Sequence, residues 1–458
     1  MVSAPRSVPA ELSGWGNYPV ETCHLYRPND LDALKTIVQH APQPDLISRG
    51  QGRSYGDASL NASRGVMLQE GLNRILNFDA ETGVLECEAG ATLSEILDYI
   101  VPREFFLGIT PGTKNISVGG AIAADVHGKN HHKEGTISHQ LLAFSILIAS
   151  GEILTCSRDE NSDLFWVTLG GMGLTGVILT ARLQMKAVES AYVRTRTERC
   201  RDLDDVLSRI DEGDRDFDYA VAWIDCLARG DSLGRSVLMR ANPARLEELP
   251  PSLRSSPHSV PSKRSFGVPF SLPSGVLNSF SMRIFNAAFY AARRDRGAIA
   301  DYDSYFYPLD RVADWNRIYG RRGALQYQVV LPRATARQGL IDILGETTAD
   351  GHGSFLAVLK STGPANPSPL SFPIEGISLA LDFPNTGEKL LRLLRRLDEL
   401  TLASGGRVYL AKDSTLEAEH FRAMYPRFDE FLALKAKYDP ETRFSSSLAR
   451  RLGLVRAD

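Results

Sequence analysis

The sequence has no Cys-x-x-Cys pair, no excess of either charge and no long apolar run, and each absence removes a class of function. Its five cysteines (Cys23, Cys87, Cys156, Cys200, Cys226) are scattered and odd in number, which argues against a disulfide framework or a zinc ribbon and fits a reducing compartment. With 52 Lys+Arg against 55 Asp+Glu the formal net charge is -3, so nucleic acid is excluded as a first partner. The opening "MVSAPRSVPAELSGWGNYP" lacks the apolar core of a signal peptide, and no later run reaches the length of a spanning helix. The expectation is a cytoplasmic protein, or one peripheral to the inner membrane, with neither signal peptide nor transmembrane segment. At 458 residues the chain exceeds what one core organises, so two domains, or one interrupted by another, are expected.

What is present is an α+β text punctuated by glycine. "PDLISRGQGRSYGD" reads as a strand entering a glycine-rich loop, and "RILNFDAETGVLECEAG" as two strands about a turn. "ATLSEILDYI" opens a helix, with Thr92 as N-cap and Glu95 closing a capping box. "LLAFSILIASGEILTCS" is a strand pair across Ser-Gly, and "GVILTARLQMK" alternates like a half-buried strand. Residues 250–275 are dense in proline and serine and point to a loop or mobile flap. The following "VLNSFSMRIFNAAFYAARRDR" carries apolar residues at helical spacing, read as a core helix, with an amphipathic lipid-facing element as the alternative. After Arg407 come a strand and then helical segments stopped at Asp439-Pro440.

Gly171-x-Gly173-x-x-Gly176 matches a dinucleotide fingerprint by letter, but it leads into a strand rather than a helix, and the Rossmann reading is set aside. In "SRGQGRSYGD", Gly50, Gly52 and Gly56 free the backbone to form an anion nest, with Arg49 and Arg53 adding charge. A second loop has Gly112, Gly119 and Gly120 for close backbone approach and the hydroxyls of Thr113 and Ser117. Two such loops predict one long ligand gripped from both sides, and a diphosphate with a large aromatic head fits. "DVHGKNHHKEG" places three of nine histidines together. Gly128 and Asn130 break the helix that would pair His127 with His131, and no Cys or carboxylate stands at ligand spacing, so no metal is expected. A satisfied structural histidine is the ordinary reading, more so for His131, His132 and His139 than for His127.

Taken in order, "GQGRSYGD", "PGTKNISVGGAIAADVHGKNHH", "LFWVTLGGMGLTG", "WNRIYGRRGALQYQ", "SPLSFPIEG", "LDFP" and "AKDS", then "AMYPR" and "ARRL", resemble the FAD-containing decaprenylphosphoryl-β-D-ribose 2'-oxidase family. That family lies within the vanillyl-alcohol-oxidase-type, or PCMH-type, flavoproteins. The resemblance runs over nearly the whole chain and is weakest from about residue 193 to residue 300.

The resemblance implies a two-domain PCMH-type fold: residues 1–190 as the first part of an FAD-binding domain, 191–406 as a substrate domain on an antiparallel sheet, and 407–458 completing the first. It implies FAD contacts at Ser48, Arg49, Gly50, Gln51, Gly52, Arg53, Ser54, Tyr55, Gly56, Asp57 and Ala58, at Gly112, Ser117, Val118, Gly119 and Gly120, at Ala124, Asp125, Val126 and His127, and at Ile178 and Tyr409. Many relatives attach flavin through a histidine where Arg53 stands, and arginine cannot form that bond, so the FAD is expected to be noncovalent.

The resemblance makes Lys412 and His127 the catalytic candidates beside the flavin, Lys412 for alkoxide and flavin-anion stabilisation. A surface lysine is the alternative reading of Lys412. Tyr55, Lys129, Gln328 and Lys360, with Lys412, are implied to line the substrate pocket. The implied reaction is oxidation of a sugar secondary alcohol to a ketone, the 2'-hydroxyl of polyprenylphosphoryl-β-D-ribose, as the first half of epimerisation to the arabinose donor of cell-wall arabinan. An NAD(P)H-dependent ketoreductase would complete it, and peripheral membrane contact is compatible. Departures fall on the rim: Ala380 replaces a reactive cysteine, Ser378 an asparagine and Phe306 a tyrosine. The alternatives are an aldonolactone or alditol oxidase of the same superfamily and a non-catalytic flavin-binding subunit.

Overall fold

The computed structural model describes residues 5–455 except 262, 264, 265, 274–277 and 355. Its first part carries two main sheets, besides the short pair Phe105–Phe106 with Lys186–Ala187. In the smaller, Val8–Ser13, Val20–Tyr26, Gly65–Leu68 and Leu46–Arg49 lie in that spatial order, and the last two pairings are parallel. The other is antiparallel, in the order Ile75–Asp79, Val84–Glu88, Val177–Gln184, Leu141–Leu147, Ile153–Ser157. The helix Leu93–Ile100 is capped by Thr92 and Glu95 reciprocally, satisfying two donors that a helix start leaves open. Its Leu93, Ile96, Leu97 and Ile100 are buried, the spacing of one helical face. The glycines at 170, 173 and 176 have positive φ and deliver the chain into Val177–Gln184, so no helix follows them.

The middle of the chain forms one antiparallel sheet of eight strands: Arg296–Asp301, Tyr192–Cys200, Ser236–Pro243, Tyr219–Ile224, Ala357–Thr362, Gly376–Pro384, Ala324–Pro332 and Arg407–Val408. The helices Arg333–Asp350 and Glu388–Ala403 pack on it. Strand period two then divides the residues. Tyr327 turns toward the helices, its hydroxyl 2.9 Å from Thr401 Oγ1. Gln328, one residue on, turns the other way and reaches His127 of the first part.

Arg407–Val408 is the edge strand of this sheet, and the chain then returns to the first part. Ser445 N–H donates to Leu46 O and Leu46 N–H to Arg443 O. The Arg443 guanidinium donates to the carbonyls of Ile37, Val38 and Ala41, closing the open end of the helix Leu31–His40. Arg451 stands between Asp57 (2.7 Å) and Asp413 (2.9 Å), tying the first glycine loop to the segment after Arg407–Val408.

The segment expected as a core helix is the helix Ser279–Ala292, but only Met282 and Asn286 on it are buried. Phe280 is 72% exposed, Ile284 57% and Phe285 45%. The spacing predicted the helix correctly. The core expectation is corrected, because the stripe at 280 and 284 meets no element of the described chain. Of the proline- and serine-rich stretch 250–275, residues 262, 264, 265, 274 and 275 lie outside the described residues. Within it Pro251–Arg254 makes one helical turn and Phe266–Gly267 pairs with Val312–Ala313. Among the described residues no helix is long and apolar enough to cross a membrane. All five cysteines are buried and unpaired, and burial pushes the thiols of Cys87, Cys156, Cys200 and Cys226 up to about 12, so they are poor nucleophiles.

Candidate active site

Ser48 and Arg49 end a buried strand, and the loop after them bends tightly, with Gly52 at φ +60. Its position is fixed from one side. Tyr55 N–H donates to Ala411 O at 3.1 Å, and a Cβ on Gly56 would stand 1.8 Å from Asp413 O. Among the described residues the N–H groups of Gly50, Gln51, Gly52, Arg53 and Ser54 have no acceptor within the chain. Such successive free amides fit a diphosphate. The Arg49 guanidinium is engaged with Ser13 O and Ser59 Oγ, whereas Arg53 lies over the Trp15 ring at 4.1 Å with its Nε unpaired.

The second loop meets the first directly, since a Cβ on Gly50 would strike Ser117 Oγ at 2.1 Å. Its hydroxyls are partly committed to the fold. Ser117 Oγ accepts from Gly120 N–H as the cap of the helix Val118–Ala123, and Thr113 donates to Asp310. The N–H groups of Val118 and Gly119 go to Ala91 O and Ala89 O. Gly112 alone opens on free space. Ile178 sits at a bulge of its strand, and Tyr409 donates to Ala124 O at 2.9 Å. Asp125, with φ +41, is buried and accepts from Ser371 Oγ and Asn366 Nδ2, both at 2.6 Å. Val126 and Ala58 are buried apolar residues behind the loops.

The histidine cluster divides as its surroundings dictate. His131 Nδ1 accepts from Gly363 N–H at 2.9 Å, and His132 Nε2 lies 2.9 Å from Phe217 O. Both are pinned to the chain's own backbone. His127 is buried beside the stacked rings of Phe372 and Tyr409, its Nε2 3.1 Å from Gln328 Nε2, and its Nδ1 has no partner among the described residues. Burial, reinforced by Lys360, His131 and Lys412, holds its pKa well below the usual value, so the imidazole is neutral. Among the described residues no three His, Cys, Asp or Glu side chains form a metal-holding group.

Over these loops stands one face of the eight-stranded sheet. Register puts Gln326 beside Asp382, Gln328 beside Ala380, and Lys360 beside Ser378, all on that face. Lys412 comes from the turn after Arg407–Val408, its Nζ 4.4 Å from the Tyr55 ring centre. Lys129 donates to Tyr305 O and lies over the Tyr305 ring. Each of the three lysines is surrounded by protein yet keeps part of its surface open. Burial brings Lys129 down to about 7 and Lys360 and Lys412 to about 8; a neighbouring lysine adds to the fall at Lys129 and Lys360, whereas Asp382 opposes it at Lys412.

Sequence reasoning passed over Asp382, Gln326, Tyr319 and Trp15. Asp382 is fully buried and accepts from Tyr55 Oη, Tyr319 Oη and Gln326 Nε2. The signal was available: Gln326 and Asp382 stand two residues from Gln328 and Ala380, and two residues along a strand is the same face.

The site fits FAD on three observations: the free amides of the first loop, the unpaired buried Ser48 Oγ, Arg53 Nε and His127 Nδ1, and the cluster of buried lysines next to them. Comparison with known proteins agrees. Residues 24–157 match the FAD binding domain family and residues 385–452 the D-arabinono-1,4-lactone oxidase family. The chain is 35% identical over 450 residues to decaprenylphosphoryl-beta-D-ribose oxidase of Mycolicibacterium smegmatis, covering 97% of each. It is 26% identical over 189 residues to L-gulonolactone oxidase of Mus musculus, 40% of this chain and 43% of that one.

Proposed function

From the premise that the chain belongs to the decaprenylphosphoryl-β-D-ribose oxidase family and is an FAD-dependent oxidoreductase, we propose how its own residues serve the oxidation of a ribose secondary hydroxyl. Polyprenylphosphoryl-β-D-ribose is the substrate, oxidised at its 2'-hydroxyl, and an NAD(P)H-dependent ketoreductase consumes the ketone. The observation that carries the assignment is the gathering of Lys129, Lys360, Lys412 and neutral His127 into one largely buried, cationic cluster, suited to a phosphorylated sugar.

Bound FAD supplies the hydride acceptor. The protein must then manage the hydroxyl proton and the charge left on oxygen. Lys412 Nζ stabilises the developing alkoxide, while His127, neutral and braced by Gln328, forms the wall beside it. Gln328 and Lys360 hold sugar hydroxyls and the phosphate, and Lys129 with Tyr55 completes the enclosure. Arg53 leaves the cofactor without a covalent tether.

Two patches support approach to the lipid tail. Phe266, Phe270, Phe280, Ile284 and Phe285 are exposed, and Arg283, Arg293, Arg294 and Arg296 beside the helix Ser279–Ala292 are exposed too. Aromatic residues with a basic rim suit an anionic bilayer surface. The match of residues 385–452 favours a second reading, a soluble aldonolactone as substrate. The test is anaerobic bleaching of the bound flavin. Polyprenylphosphoryl ribose is expected to bleach it and a free polyol or aldonolactone to leave it yellow; the reverse pattern overturns the assignment.

A further inference from the structure

Among the described residues no carboxylate is in direct contact with Lys129, Lys360 or Lys412, and one buried carboxylate, Asp382, stands near Lys412. Asp382 sits in the centre of the sheet on Gly376–Pro384. Its Oδ2 accepts from Tyr55 Oη at 3.4 Å and Tyr319 Oη at 3.3 Å, its Oδ1 from Gln326 Nε2, and its N–H donates to Ser354 Oγ at 3.0 Å. Tyr55 is thus held at both ends: its hydroxyl by Asp382, its ring under the Lys412 ammonium. Asp413, next to Lys412 in the chain, is turned away to Arg451 and to the N–H groups of Thr415 and Leu416. The charged and titratable groups around Lys412 are therefore Tyr55 from the first loop, Asp382 and Lys360 from the sheet, and His127.

We infer that Asp382 is a positioning residue for the reaction: it anchors the Tyr55 ring on which Lys412 rests, and as the facing anion it keeps the Lys412 ammonium protonated. The inference rests on the role given to Lys412 above. Three hydrogen bonds to a carboxylate inside a protein also say which form is wanted, since they favour the anion against a burial that opposes it. Burial pushes Asp382 up to about 6 and Lys412 down to about 8, so the two are charged together only between those values. Below that window Asp382 takes up a proton and Lys412 loses its counter-charge. Above it Lys412 itself loses the proton.

Asp382→Asn keeps the shape and removes the charge. In wild type, kcat/KM for the lipid-linked ribose should follow a bell with limbs near 6 and 8. In Asp382→Asn the acidic limb should vanish and the basic limb move to lower pH, with about a tenfold loss at the former basic limb. A second readout needs no turnover: carbamylation of Lys412 by cyanate in the full chain, followed by peptide mass spectrometry. Its midpoint pH should fall in the variant, because only the neutral amine reacts. An unchanged midpoint and bell overturn the inference. Tyr319→Phe serves if Asp382→Asn does not fold: with one donor to the carboxylate lost, the acidic limb should rise, and an unmoved limb overturns the inference equally. Lys412→Met separates the two readings. If it remains active, the role of Lys412 has failed; if it is inactive while Asp382→Asn keeps the wild-type bell, only the role of Asp382 has failed.

Discussion

The glycine-loop cradle and the sheet-face roof proposed to enclose the flavin are made in opposite ways. The cradle is contiguous loop, with free amides in succession from Gly50 and packing so close that Gly56 touches the backbone of Asp413. The roof is a set of single side chains, Lys360, Gln328, Gln326 and Asp382, contributed by three strands at register. A loop of this kind binds through backbone and tolerates little change. A sheet face offers one independent position per two residues, and it carries Ser378 and Ala380, the positions at which the resemblance implies a departure. The difference teaches where a single substitution must disturb the backbone and where it changes one side chain alone.

Substitutions should separate the two halves. Lys412→Met in the roof should slow flavin reduction by about 10³-fold while FAD stays bound, read by anaerobic stopped-flow absorbance. Gly56→Ala in the cradle should do the opposite. Its methyl meets a backbone oxygen that cannot move, so about 3 kcal/mol of stability and the bound FAD should be lost together, read by denaturant unfolding and flavin content. A roof variant that sheds FAD, or a cradle variant that keeps it, would blur the division.

Charge gives a finer test. The folded value of Lys360, about 8, lies below its ordinary 10.5. The unfolded chain therefore holds a proton that the folded chain releases between these values, and stability rises with pH across them. Lys360→Met should stabilise the flavin-free protein by about 2 kcal/mol at neutral pH, allowing for the partial exposure of the side chain. The gain should fade as pH climbs toward 10.5, in thermal melts of the two proteins. At the edge of the substrate region, Phe280→Glu with Phe285→Glu should lower co-sedimentation with phosphatidylserine vesicles about tenfold and leave that with neutral vesicles little changed.

The cradle was legible in the sequence because glycine spacing is local and its meaning is steric. "GQGRSYGD" names its own loop, and the Thr92–Glu95 cap appears as read. The roof was legible only in part. Gln328 and Lys360 came through resemblance, whereas Asp382 and Gln326 needed the pairing of strands more than fifty residues apart. The helix Ser279–Ala292 shows the opposite limit: periodicity marks a face as apolar without saying what covers it.

The claim on which all this stands is a dissociable FAD held between the loops at Gly50 and Ser117. Titrating the flavin-free protein with FAD and then precipitating it in acid tests that claim most directly. The account predicts one FAD taken up per chain and all of the yellow colour released to the supernatant. Failure to take up the cofactor, or colour that stays with the precipitated protein, would contradict it.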